Sequence, residues 1–124
     1  MGLRPNMRAH FAGAPLGYGK TIGRLSGIHI EPVPRAEIDF IQCFVKSAPE
    51  LERLFPRFKA ALAPAGGLWV SWAKKTSPRF SGVTEDAVRR IGLAPGLVDV
   101  KVCAVSEDWS ALKFIFPLKD RPKR

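Results

Sequence analysis

The stretch that most constrains this chain is Ile38-Asp39-Phe40-Ile41-Gln42-Cys43-Phe44-Val45, a β-favouring run with apolar residues at both alternating sets of positions. A strand with one wet face alternates polar and apolar residues. A strand buried on both faces reads as near-continuous apolar sequence and suits the middle of a parallel sheet. Parallel neighbours need long crossover connections, usually helices. The rest of the 124 residues must therefore supply flanking strands and helices to cover them.

The punctuation of the chain supplies both. Residues 7–12 read as a short strand ending at Gly13-Ala14-Pro15, and a helical stretch around residues 20–25 is closed by Ser26-Gly27. Residues 28–30 form a brief extended piece that Glu31-Pro32-Val33-Pro34 ends. After the long apolar run, Ser47 and Glu50 make a capping box with Pro49 in the first turn. Leu51, Leu54, Phe55, Phe58 and Leu62 then share one helical face, and Pro56 within it predicts a kink or a break into two short helices. Pro64-Ala65-Gly66-Gly67 turns the chain into a strand over residues 68–72. Thr84 caps a helix to Ile91, with Glu85 and Asp86 in its first turn, Arg89 and Arg90 in its last, and Gly92 as its exit. Residues 97–105 and 109–118 read as a hairpin across Ser106-Glu107-Asp108. Right-handed crossovers make this an α/β, Rossmann-like three-layer sandwich, its mostly parallel sheet ordered 2-1-3-4 with an antiparallel hairpin beyond the fourth strand. The length fits one domain over residues 1–124, with a core from about 6 to 118 and a basic tail at 119–124.

Charge narrows the partners. Twenty Lys and Arg against eleven Asp and Glu give +9, which is the footprint looked for in nucleic-acid binders. The excess is spread out, since residues 1–62 hold nine basic and five acidic residues and residues 63–124 hold eleven and six. No apolar run approaches the roughly 20 residues that span a bilayer. Arg4 and Arg8 precede no apolar segment of a secretion signal, so the expectation is a soluble, cytoplasmic protein without membrane partners. Cys43 and Cys103 lie in apolar runs without ligand-spaced neighbours and read as core residues, so no metal is expected.

In such a sheet, ligands bind outside the carboxyl ends of the strands, beside the point where strand order reverses. That edge collects Gly13, Gly17, Tyr18 and Lys20 after the first strand, Lys46 and Ser47 after the third, Trp72, Lys74, Lys75 and Arg79 at and after the fourth, and Glu107, Asp108 and Trp109 in the hairpin turn. The stretch from Gly13 to Thr21 ends in Gly-Lys-Thr like a phosphate-binding loop, but the position six before Lys20 is Ala14 and not glycine. Trp69 and Trp72 point to opposite faces; Trp69 reads as packing against a helix, while Trp72 either covers the sheet edge or stacks on a ligand ring. His10 and His29 are isolated and read as structural, and no nucleophile–base or metal-ligand pattern anchors a catalytic assignment.

Two resemblances add to this. Residues 60–70, with Leu62-Ala63-Pro64-Ala65-Gly66-Gly67 before a strand, and the closing hairpin resemble class I methyltransferases. That family binds S-adenosylmethionine through a Gly-x-Gly-x-Gly turn after an acidic first strand, where this chain reads Phe11-Ala12-Gly13-Ala14-Pro15-Leu16-Gly17. The resemblance implies the scaffold without the cofactor, and no cofactor is expected. Leu68-Trp69-Val70-Ser71-Trp72-Ala73-Lys74-Lys75, residues 93–105 and Trp109-Ser110-Ala111-Leu112-Lys113-Phe114 look like the signature stretches of a small bacterial family, domain of unknown function 3052, over roughly residues 36–116. Ala73 stands where that family has Pro, and the family brings a fold expectation without an activity. The leading reading is a stand-alone, non-catalytic binding or accessory domain whose edge lysines accept an anionic small molecule. A nucleic-acid-associated basic protein and a reduced methyltransferase-like enzyme are the alternatives.

Overall fold

The computed structural model describes residues 3–14, 27–35 and 37–118. Six strands form one sheet: β1 (Arg8–Ala12), β2 (His29–Ile30), β3 (Ile38–Phe44), β4 (Leu62–Ala73), β5 (Val98–Ala104) and β6 (Trp109–Ile115). Their spatial order is β2-β1-β3-β4-β6-β5. The first four are mutually parallel, and β6 runs antiparallel to both β4 and β5. This is the expected 2-1-3-4 order with its closing hairpin. β3 lies between β1 and β4, and Ile38, Phe40, Ile41, Gln42, Cys43 and Phe44 are all buried, as a strand covered on both faces requires.

Helices α1 (Ala48–Ala61) and α2 (Glu85–Leu93) pack together on one face. Their apolar sides, Leu51, Phe55 and Phe58 from α1 with Val88 and Ile91 from α2, meet Ile41, Cys43, Val70, Trp72, Leu112 and Phe114 of the sheet. The opposite face carries Ala9, Phe40, Trp69 and Ala111, and beside them Phe44, Ala73 and Trp109. The helix expected around residues 20–25 lies outside the described residues.

Three details differ from the sequence reading. Pro56 sits inside one uninterrupted helix and does not divide it. The segment at residues 64–67 belongs to β4 and does not precede it. There β3 advances two residues, from Ile38 to Phe40, while β4 advances five, from Leu62 to Gly67, so residues 63–66 bulge out of the ladder. The two tryptophans do face opposite ways, but Trp72 lies under the helices and Trp69 on the other side. There the Lys113 ammonium sits 5.8 Å from the Trp69 ring centroid, and the buried Trp69 Nε1 has no hydrogen-bond partner among the described residues.

Candidate functional site

The carboxyl ends of β1, β3 and β4 and the β5–β6 turn come to one edge of the sheet. After β1, Gly13 adopts φ +69°, and a Cβ there would stand 2.7 Å from the Phe44 carbonyl oxygen, so only glycine lets the chain leave β1 this close to β3. The Val45 amide donates to Ser71 O at 3.0 Å, tying the end of β3 to β4, and the Lys74 amide donates to Asp108 O at 2.8 Å, tying the end of β4 to the turn. Trp109 meets Phe44 edge-on with ring centroids 5.1 Å apart.

Ser47 begins α1 from this edge. Its Oγ accepts the Glu50 amide at 3.2 Å, while Glu50 Oε1 accepts the amide of Lys46 and not that of Ser47, one residue off the expected capping box. Helix α2 begins the same way, with Thr84 Oγ1 accepting the Ala87 amide at 3.2 Å. The amides of Glu85 and Asp86 open that helix and have no intrahelical carbonyl to reach.

A cleft of about 440 Å³ opens between the end of β4 and the start of α2. Trp72, Ala73 and Val83 make its apolar floor; Lys74 and Lys75 line it, as do Thr84, Glu85, Asp86 and Ser110. Of the residues read from sequence as binding candidates, the cleft brings together Trp72, Lys74 and Lys75. Gly13, Ser47 and Trp109 share the sheet edge without lining the cleft. Gly17, Tyr18 and Lys20 lie outside the described residues. Sequence reading missed Val83, Thr84, Glu85, Asp86 and Ser110 as cleft residues. The signal was available for three of them, because a helix that follows a parallel strand starts at the edge where that strand ends, so an N-cap and its first turn belong to the same rim.

Among the described ion pairs, none involves Lys74 or Lys75. The acidic wall is different. Arg89 holds Glu85 Oε2 at 2.8 Å, reaches Asp86 at 3.7 Å and binds Asp99 of β5 at 2.9 Å. Its guanidinium hydrogen bond holds the Asp99 carboxyl below the usual range. His10 is buried, its Nδ1 donating to the Glu31 carbonyl at 2.9 Å and its ring tilted against Phe58, while His29 is exposed on β2. Burial pushes the Cys43 thiol up to about 12. No three His, Cys, Asp or Glu side chains among the described residues are grouped to hold a metal, and no described helix is long and apolar enough to cross a membrane.

No family model and no curated protein matches this sequence. Solved structures do match. One is a possible exported protein from Bordetella parapertussis, with a TM-score of 0.66, 13% identity and coverage of 93% of this chain; the chain spans 63% of that protein. Others are a SAM-dependent methyltransferase from Aquifex aeolicus (TM-score 0.64, 17% identity, 91% of this chain and 84% of that one) and a TehB-like SAM-dependent methyltransferase from Corynebacterium glutamicum (0.63, 11%, 93% and 83%). The fold is a methyltransferase-like Rossmann fold. Identities this low carry the architecture alone.

Proposed function

We propose that this chain is a non-catalytic binding domain that takes a small anion at the carboxyl edge of its sheet, in the cleft between β4 and α2. The observation that carries the reading is the pair Lys74 and Lys75, both lining that cleft and neither engaged in a described ion pair. Two lysines together with the first amides of α2, which have no intrahelical acceptor, offer an anion both charge and directed donors. The volume lies in the lower part of the range of small-molecule sites, roughly 300–1,000 Å³. Isothermal titration against inorganic phosphate, nucleotides, acyl phosphates and sugar phosphates tests it. At least one of them is expected to bind, and the Lys74→Ala, Lys75→Ala double variant is expected to bind it at least tenfold more weakly, about 1.4 kcal/mol. Unchanged affinity in the double variant, or no binding by any member, overturns the reading.

The fold supports a second reading, a reduced methyltransferase-like enzyme, because S-adenosylmethionine-dependent methyltransferases are among its structural neighbours. The described residues do not fit that cofactor. β1 ends Phe11-Ala12-Gly13 without an acidic residue, and Glu31, the acid that follows β2, already accepts Arg8 Nε at 3.1 Å. Millimolar S-adenosylmethionine is expected to leave the melting temperature unchanged; a rise of several degrees would favour the enzyme instead. Membership of the small family of unknown function that residues 68–75 resemble fits either reading, since that family carries no assigned activity.

A further inference from the structure

Resting on the anion-site reading above, we infer that the ligand of this cleft is a phosphorylated polyol, with its phosphate on Lys74 and Lys75 and its hydroxyl groups on Glu85 and Asp86. The cleft is lined by residues of both signs, Lys74 and Lys75 together with Glu85 and Asp86 from the first turn of α2. A bare anion meets the lysines but also faces the carboxylates, which repel it. A ligand with an anionic end and a hydrogen-bond-donating end satisfies both.

The donor end could be an ammonium or a hydroxyl group, and Arg89 decides between them. It holds Glu85 at 2.8 Å, stands 3.7 Å from Asp86 and is itself anchored by Asp99 at 2.9 Å. Arg89 carries one charge for three carboxylates and so does not neutralise the wall, but it already occupies the Glu85 oxygen that a ligand ammonium would seek, and the ammonium would have to compete with it there. A neutral hydroxyl does not compete, because an ionised carboxylate accepts about four hydrogen bonds and the guanidinium leaves acceptor sites unused. The floor suits the same ligand. Trp72, Ala73 and Val83, all buried, close the bottom of the cleft with apolar residues that would not compete for the ligand's hydroxyl groups, and Ser110 lines it as well.

Titration of the full chain with three probes of equal phosphate charge separates this from the simpler anion site: a hexose phosphate, an alkyl phosphate and an aminoalkyl phosphate, with inorganic phosphate as reference. The hexose phosphate is expected to bind at least tenfold tighter than the other three. Asp86→Asn, at a side chain 98% exposed, is expected to shrink that preference severalfold while binding of inorganic phosphate holds or improves. Glu85→Gln with Asp86→Asn is expected to abolish it. If alkyl or inorganic phosphate binds as well as the hexose phosphate, or the preference survives in the double variant, the polyol inference falls and the anion site stands. Tighter binding of the aminoalkyl phosphate also overturns it, in favour of a zwitterion. If none of the four phosphates binds, the polyol inference falls, and the anion site falls with it unless a nucleotide or an acyl phosphate binds.

Discussion

A methyl group added at Gly92 would lie 2.1 Å from a ring carbon of Phe114, far inside contact distance. Gly92 therefore lets α2 lie directly on β6, and its place after Ile91, which reads in the sequence as a helix exit, conceals this. Nothing local in the chain announces that Phe114 presses there. Gly92→Ala is expected to cost about 1–3 kcal/mol by overpacking, seen as a lower urea midpoint with an unchanged slope. An unchanged midpoint would mean that the two elements are not in contact. The cysteines were legible from their apolar surroundings, and their environments separate them further. Cys43 is buried with its thiol pushed up to about 12, whereas Cys103 is half-buried on the hairpin. A thiol reagent at pH 8 is expected to modify Cys103 in the native protein and Cys43 only after unfolding; Cys43→Ser would then leave the native labelling unchanged.

Helix α1 shows how packing overrides a local rule. A proline inside a helix costs roughly 3 kcal/mol. Leu51 and Phe55 before Pro56 and Phe58 after it are all buried against the same sheet face, and burying each such side chain contributes about 1.5–3 kcal/mol. The two halves of the helix are held by one core, so the sum favours an unbroken helix. The caps were legible because they are short-range. The bulge at residues 63–66 was not, because it depends on the register with β3. At this scale Arg89 makes the main electrostatic tie, joining α2 to β5 through Asp99. The hydrogen bond from Arg89 lowers the Asp99 pKa in the folded state, so its contribution is fully present above the ordinary carboxylate value and is lost as pH falls through the folded one. Asp99→Asn is therefore expected to be less stable than the natural chain at pH 7 by a small margin, because the pair is about one-third exposed, with the gap closing on acidification below about pH 4. A gap that stays constant down to pH 2 would locate the effect in packing instead.

The whole molecule was legible where the rules are global. Handedness of crossovers and the burial of Ile38–Phe44 on both sides fix the order of the parallel strands, and Ser106-Glu107-Asp108 places the hairpin turn at the same edge as Lys74, where the 2.8 Å bond to Asp108 holds it. The basic side of the candidate site, Lys74 and Lys75 with Trp72, followed from that topology. The site's acidic wall was missed because Glu85 and Asp86 serve a helix start equally well; the cue to it lies in the topology, which starts a helix at the edge where the preceding parallel strand ends, and not in the residues themselves. The remaining global quantity is charge. An excess of +9 draws any polyanion, and with the basic residues spread along the chain apart from the tail at 119–124 that attraction is largely diffuse counterion release, which fades steeply with salt. The cleft works differently, since its two lysines act at close range on one anionic group. Random-sequence RNA and duplex DNA are accordingly expected to bind weakly at 50 mM salt and to be lost at 200 mM, a drop of at least about tenfold, while binding of the phosphate ligand falls far less. Lys74→Ala with Lys75→Ala is expected to remove the small ligand and to reduce nucleic-acid binding only in proportion to the two charges lost. Nucleic-acid affinity that persists at 200 mM salt, or that vanishes in the double variant together with the small ligand, would make the same cleft a nucleic-acid site and reverse the order of the two readings.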